Sequence, residues 1–266
     1  MGRTFFMAGG GTGGHIYPLL AVAEKISELE PEAELHFFCS RRKIDEHILS
    51  GSGYKYTKLP ARGFSIKPGR LIQFCKSFLE SRTIADKAIN RYQGSVIVGA
   101  GGFVAAPVCW AGHKLGMPVG LINTDIVPGK ANRIISHWAT RIFVQFEETL
   151  EYFKDSEADC ELTGCPLRTG FGNPSAGKAV SDLGLESTKK ILLVTGASSG
   201  AESINRSFCS LLKKLDRFSS RWQIVHLTGR NNYEKVRSFY KDCPVSCRLK
   251  PFYDDMPNLM AAADLV

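Results

Sequence analysis

An apolar run that leads directly into a glycine-rich stretch is the feature that most constrains this chain. The run TFFMA, residues 4–8, is followed by GGGTGGH, residues 9–15, and then by a pattern with helical period. Glycines at a strand-to-helix turn let the backbone approach a ligand, and the positive end of the following helix favours an anion. The stretch therefore predicts an α/β fold with a phosphate-binding turn.

The same pattern recurs along the chain. Short β-rich runs alternate with helical segments, and glycine loops follow the apolar runs again at residues 99–102 and 196–200. This alternation predicts two Rossmann-like doubly wound domains with parallel sheets. The turn residues of TGCPLR, 163–168, place the boundary between domains 1–163 and 164–266, the second of which is expected to be incomplete.

A dinucleotide-binding alternative starts from Gly9, Gly11 and Gly14, which match G-x-G-x-x-G. In that motif the second strand ends in an acid that binds the ribose, whereas here the apolar run ends at Ser40 and Arg41, Arg42 and Lys43 follow. NAD is therefore disfavoured, and NADP is left open. A further alternative is that the glycines only permit tight turns and close packing.

The charge balance indicates anionic partners. The formal net charge is +8 and the pI is about 9.1, which favours phosphorylated substrates or an acidic membrane surface. Because the chain has neither zinc-finger spacing nor a basic helix with interleaved aromatic residues, nucleic acid is not expected. With no leader pattern and no long apolar stretch, the interpretation is a cytoplasmic protein.

Five motifs, taken in order, resemble the MurG family of inverting glycosyltransferases: GGGTGGH, GAGGFVAAP, GCPLR, TGASSGA and FYDDM. The resemblance implies the GT-B fold, with two facing Rossmann-like domains. It also implies transfer of N-acetylglucosamine from UDP-N-acetylglucosamine to an undecaprenyl-pyrophosphate-linked muramoyl pentapeptide, the lipid I to lipid II step of peptidoglycan synthesis. Such an enzyme would need no metal or other cofactor, and would act as a peripheral protein at the cytoplasmic face of the cell membrane.

The resemblance also implies roles for individual residues. His15 is the candidate general base or acceptor-positioning group, a role that suits a side chain titrating near neutral pH. The other implied contacts are Thr12, Gly13 and Gly14 to a diphosphate, Arg168 and Ser198 to the nucleotide sugar, Tyr253 to uracil, and Gly101 and Gly102 to the acceptor's pyrophosphate. For Arg168, an ion pair in the linker is the alternative.

Two departures from the family pattern affect the donor side. The family's HEQN is INTD here, so Asp125 stands where an asparagine is expected near the sugar. The chain also lacks the family's later glycine-rich segment and its glutamate, which leads us to expect an incomplete donor site and little turnover. Another UDP-sugar GT-B transferase and a non-catalytic or split acceptor-binding subunit therefore remain alternative hypotheses.

Residues 62–82, RGFSIKPGRLIQFCKSFLESR, mix large apolar side chains with arginines and lysines. This composition fits an interfacial contact with the inner leaflet of a membrane, and the resemblance points to the same contact. The competing interpretation, which the residues alone favour, is an amphipathic helix that packs on the core and exposes a basic face.

Overall fold

Parallel strands alternate with helices throughout the computed structural model, which describes residues 2–92, 94–197 and 200–266. The chain divides into two compact units, Met1–Arg168 and Thr169–Val266. Residues 164–168 thus belong with the first unit, whereas the sequence-based boundary precedes them. The guanidinium of Arg168 lies 4.6 Å from the centroid of the Tyr17 ring, a contact within the first unit.

The first unit contains one parallel sheet in the order β3-β2-β1-β4-β5-β6-β7. Its strands are β1 (Thr4–Ala8), β2 (Glu34–Ser40), β3 (Lys55–Leu59), β4 (Val96–Gly99), β5 (Val119–Asn123), β6 (Arg141–Val144) and β7 (Asp159–Leu162). Its helices are α1 (Gly13–Leu29), α2 (Lys43–Ser50), α3 (Pro68–Ile89), α4 (Gly102–Lys114) and α5 (Lys130–Ile135), and a 3₁₀ helix covers Glu147–Phe153. Because the strand order reverses beside β1, the carboxyl ends of β1 and β4 form a topological switch point, where open α/β sheets bind ligands.

Both faces of this sheet are covered, as the apolar runs of its strands predict. Side chains alternate across the sheet, so that Phe6 and Phe38 belong to one core cluster while Met7 and Phe37 belong to the other. All four are at most 1% exposed, and burying each large side chain stabilises the fold by roughly 1.5–3 kcal/mol. The two cores hold the strand ends, and hence the loops that follow them, in fixed positions.

The second unit has a smaller parallel sheet in the order β10-β9-β8. Its strands are β8 (Lys190–Thr195), β9 (Trp222–Leu227) and β10 (Cys247–Lys250), and its helices are α6 (Ala176–Asp182), α7 (Glu202–Leu211), α8 (Tyr233–Arg237) and α9 (Met256–Ala262). Short 3₁₀ helices cover Thr169–Phe171, Leu212–Phe218 and Ser238–Tyr240. After α9, Leu265 forms a single parallel bridge to Leu192 of β8.

Candidate functional site

The first glycine loop connects β1 to α1 and is hydrogen-bonded to the side chain of Asp45 in α2. A Cβ atom on Gly10 would lie 2.5 Å from Oδ2 of Asp45 and 3.0 Å from the backbone nitrogen of Ser40. Gly11 has a φ of +90°, in a region that favours glycine. The loop therefore needs glycine at both positions, for close packing at one and for backbone conformation at the other.

Asp45 is the residue of this site that the sequence analysis did not identify. It is fully buried, and its Oδ2 accepts hydrogen bonds from the Gly11 N–H at 2.8 Å, the Ser40 N–H at 3.0 Å and the Ser40 hydroxyl at 2.5 Å. Its Oδ1 has no partner among the described residues. Asp45 thus ties the loop after β1 to the end of β2. The sequence signal was an acid two positions after the basic run RRK, in RRKID.

The second glycine loop connects β4 to α4 and lies against the first. Gly101 and Gly102 have φ values of +87° and +74°. A Cβ atom on Gly102 would lie 2.8 Å from the carbonyl oxygen of Gly10 and 3.0 Å from Nδ1 of His15. The two loops follow adjacent strands of one sheet, which explains why residues so far apart in sequence lie in contact.

His15 lies where the two loops meet, and its half-buried ring is held through one nitrogen. Nδ1 is 3.1 Å from the carbonyl oxygen of Gly10 and 3.3 Å from Oγ1 of Thr12. Because a carbonyl can only accept, a hydrogen bond to Gly10 requires the proton to be on Nδ1. Nε2 then carries the lone pair, and no described residue hydrogen-bonds to it. The ring is thus fixed in the tautomer that can take up a proton at Nε2.

The two helices that start at these loops leave backbone donors available. The first N–H groups of a helix have no partner within it. Thr12 precedes α1 and Gly101 precedes α4, and neither helix start has a hydrogen bond from a capping side chain. Within the described ranges, the N–H groups of Gly13, Gly14 and Gly102 have no protein acceptor. Donors of this kind at helix starts suit an anion such as a phosphate.

Asp125 lies on the exposed loop after β5 and is linked to the second glycine loop through its backbone. Its carbonyl oxygen accepts from Nδ2 of Asn123 at 2.5 Å, and Oδ1 of Asn123 accepts from Nδ2 of Asn132 at 2.7 Å. A Cβ atom on Gly101 would clash with the side-chain oxygen of Asn132. The pair of asparagines therefore determines where the Asp125 loop lies relative to Gly101.

The remaining candidate residues are not part of this cluster of loops. Arg168 packs over Tyr17 of α1, as described above, and Tyr253 belongs to the second unit. The hydroxyl of Tyr253 is buried without a partner among the described residues, and burial together with the charges of Asp182 and Asp255 raises its pKa. Ser198 lies outside the described residues. The structure thus brings together Thr12, Gly13, Gly14, His15, Gly101 and Gly102.

The segment 62–82 exposes most of its large apolar side chains. The exposed fractions are 53% for Phe64, 82% for Ile66, 37% for Leu71, 69% for Ile72 and 55% for Leu79. These side chains therefore do not pack on the core as the amphipathic core-helix interpretation expects. Within the described ranges, none of the helices is long and apolar enough to cross a bilayer.

Parallel sheets in two units, with paired glycine loops at the carboxyl ends of the strands, are the features of the GT-B fold. The glycosyltransferase family 28 N-terminal domain matches residues 5–144, and the family's C-terminal domain matches residues 191–266. A UDP-N-acetylglucosamine--N-acetylmuramyl-(pentapeptide) pyrophosphoryl-undecaprenol N-acetylglucosamine transferase of Bacillus cytotoxicus is 31% identical, over 98% of this chain and 71% of its own length. A protein of the same name from Thermoanaerobacter pseudethanolicus is 30% identical, over 98% and 72%. The chain belongs to glycosyltransferase family 28 and, within it, to the MurG family.

Solved structures share the fold. Acinetobacter baumannii MurG is similar with a TM-score of 0.64 at 20% identity, covering 99% of this chain and 72% of that chain. A UDP-GlcNAc 2-epimerase from Neisseria meningitidis, bound to UDP-GlcNAc, is similar with a TM-score of 0.64 at 14% identity, covering 98% and 75%. The expected GT-B fold and the resemblance to the MurG family are therefore both confirmed.

Proposed function

We propose that this chain transfers N-acetylglucosamine from UDP-N-acetylglucosamine to a lipid-linked muramoyl pentapeptide, as the names of its relatives describe for those proteins. The observation that carries the proposal is His15, a histidine at the junction of two glycine loops with Nδ1 bonded to a backbone carbonyl and Nε2 available. Activation of the acceptor hydroxyl needs a base such as Nε2 of His15. A diphosphate needs hydrogen-bond donors such as the backbone N–H groups of the adjacent glycine loops.

The proposed reaction is a single displacement. The acceptor hydroxyl oxygen forms a bond to the anomeric carbon, and the bond from that carbon to the UDP oxygen breaks with its electron pair leaving on UDP. The hydroxyl proton passes to Nε2 of His15. Attack from the face opposite UDP inverts the anomeric configuration. Fixed backbone dipoles stabilise the charge that develops on the leaving diphosphate.

The substrate contacts are part of the same proposal and are taken from the resemblance to the family. Gly101 and Gly102 would bind the acceptor's pyrophosphate, and Thr12, Gly13 and Gly14 would line the region of the donor's diphosphate. On the donor, Arg168 and Ser198 would contact the nucleotide sugar, Tyr253 would lie beside uracil, and Asp125 would approach the sugar. The buried hydroxyl of Tyr253, which lacks a partner among the described residues, is a group that a ligand could satisfy.

Transfer of labelled N-acetylglucosamine tests the proposal directly. We expect a small amount of labelled lipid product when the chain receives UDP-N-acetylglucosamine and the lipid-linked acceptor, in line with the little turnover expected from the sequence, and none when the acceptor is omitted. The linkage of the product should be inverted relative to the donor. A folded chain that binds neither substrate and forms no labelled lipid would contradict the proposal.

Membrane association at the cytoplasmic face is part of the same proposal, supported by the exposed apolar side chains of residues 64–79 and the lysines and arginines among them. We expect the double variant Ile66→Glu/Ile72→Glu to lose binding to anionic vesicles in a sedimentation assay. Leu29→Glu, at a side chain that is 75% exposed on α1, is the matched control and should still bind. Equal binding by both variants would exclude the segment as the contact.

A further inference from the structure

A cavity of about 680 Å³ lies in the first unit, beside the first glycine loop. Its walls come from the turn after β2, the segment after β3 and helix α3, with Phe103 of α4 at one side. Four cationic side chains line it, Arg41, Arg42, Arg62 and Lys76, and Glu80 is the one carboxylate among its lining residues. We refer to it as the basic cavity.

The charges of the basic cavity are not neutralised by the protein. Within the part of the chain that the structure describes, none of the four cations lies within ion-pair distance of a carboxylate. Positive groups that share a concave surface reinforce one another, because the low-dielectric walls concentrate their field. An unneutralised cluster of this kind favours an anion with several oxygen atoms.

Two of the arginines are held in place before any ligand binds. Nη1 of Arg42 donates to the carbonyl oxygen of Gly11 at 2.7 Å, and its guanidinium carbon lies 5.1 Å from the centroid of the Phe103 ring. Nη1 of Arg62 donates to Oε1 of Gln73 at 2.8 Å. Each guanidinium keeps further N–H donors, whose planar arrangement matches phosphate oxygens. Less side-chain entropy is therefore lost when an anion binds.

We propose that the basic cavity is a binding site for phosphate esters, in which Arg42, Arg62 and Lys76 contact the phosphate oxygens. The inference extends the proposed function and rests on it, because Phe103, which lines the cavity beneath Arg42, directly follows Gly101 and Gly102, the residues proposed to bind the acceptor's pyrophosphate. The same chemistry has two sources, the diphosphate of the lipid-linked acceptor and the headgroup of an anionic phospholipid. We assign the acceptor's diphosphate, since several cations beside a glycine loop match a group with two linked phosphates better than a single phosphodiester.

Calorimetric titration with inorganic pyrophosphate tests the site without requiring turnover. In the double variant Arg62→Gln/Lys76→Gln, we expect the Kd for pyrophosphate to rise about tenfold or more, since charge-assisted hydrogen bonds are lost. Both substituted side chains are exposed, so the thermal unfolding temperature should stay close to that of the unsubstituted chain. The control Lys114→Gln/Arg141→Gln removes the same charge at the end of α4 and the start of β6, and should leave the Kd unchanged.

Two further measurements distinguish the phosphate sources and separate this inference from the proposed function. If the cavity binds the acceptor, the KM for the lipid-linked acceptor rises in Arg62→Gln/Lys76→Gln by a larger factor than the Kd for vesicles of phosphatidylcholine with added phosphatidylglycerol, because the exposed apolar side chains of residues 64–79 are unchanged. Loss of that vesicle binding with an unchanged acceptor KM would overturn the assignment to the acceptor. Equal pyrophosphate affinity in the cavity and control variants would overturn the site itself. If pyrophosphate binding depends on the cavity but no sugar is transferred, the site stands and the proposed function fails.

Discussion

Two histidines near the strand ends, one in each unit, have opposite surroundings. His226 of β9 is fully buried, with Nδ1 2.7 Å from the Tyr240 hydroxyl and Nε2 2.9 Å from Oδ1 of Asn205. His15 is half-buried, and its contacts with the loop involve Nδ1 alone. Both ring nitrogens of His226 are thus engaged in holding the second unit together, whereas His15 keeps one for a ligand. The hydrogen bonds of the ring, rather than the residue type, separate a structural histidine from a candidate base.

The largest expected effect comes from removing the imidazole of His15. His15→Ala should lower kcat for sugar transfer by about a hundredfold or more, the usual contribution of a general base. The thermal unfolding temperature should change little, because the ring is not part of either core. His226→Ala should show the reverse pattern, a marked loss of stability. His113→Ala, at an exposed position near the end of α4, is the matched control, and an unchanged kcat in His15→Ala would remove this residue from the mechanism.

The contact between the two glycine loops can be broken with one methyl group. Gly102 and Gly116 both have positive φ values, +74° and +70°, so alanine is strained by about 1–2 kcal/mol at either position. At Gly116 a Cβ atom would meet nothing within 4 Å, whereas at Gly102 it would meet Gly10 and His15. Overpacking adds about 1–3 kcal/mol. Gly102→Ala should therefore lower the free energy of unfolding by about 2–5 kcal/mol in urea titrations.

Gly116→Ala provides the reference for that measurement, since it contributes the backbone strain alone. Gly102→Ala should also raise the KM for the lipid-linked acceptor, which Gly116→Ala should not change. Equal losses of stability in the two variants would contradict the close contact of Gly102 with Gly10 and His15.

A smaller loss in the free energy of unfolding is expected when the pH is lowered, and it arises from protonation of His226 in the unfolded chain. Burial lowers the pKa of His226 from 6.5 to about 4. Between these values the unfolded chain binds the additional proton, so this contribution to stability is complete above pH 6.5 and is lost as the pH falls toward 4. The upper limit of the loss is roughly 3 kcal/mol. Urea unfolding across this range should show the decline, and His226→Gln should reduce it.

His137→Gln, at an exposed position of the first unit, should leave the dependence on pH unchanged. If His226→Gln loses as much stability at low pH as the unsubstituted chain, a group other than His226 causes the loss.

The sequence predicted the strands that have a strong apolar pattern and the glycine loops after β1 and β4. It did not predict β7 or β10, because both strands are short, β7 is mostly exposed and β10 is mostly half-buried, so that neither has an apolar run. The start of α1 at Gly13, rather than near Ile16, was missed because two glycines disfavour a helix by local propensity. At the end of the chain, the sequence analysis did not identify the helix over Met256–Ala262.

Candidate residues could be selected from the sequence by type, but the contacts among them could not be predicted. His15, Gly101 and Gly102 could be selected from motifs, yet the meeting of the two loops depends on β4 pairing with β1, a long-range property that local pattern does not encode. Asp45 was missed for a related reason. An acid in the first turn of a helix usually interacts with that helix, whereas this carboxylate accepts hydrogen bonds from a loop 34 positions earlier in the chain.

The two glycine loops of the first unit are proposed to bind phosphate groups through backbone N–H groups that have no acceptor among the described residues. Amide resonances measured by NMR during titration with inorganic pyrophosphate test this most directly. We predict that the N–H resonances of Gly13, Gly14 and Gly102 shift during the titration, while that of Gly116 does not move. Shifts confined to other parts of the chain, with these three resonances unchanged at saturation, would contradict the claim.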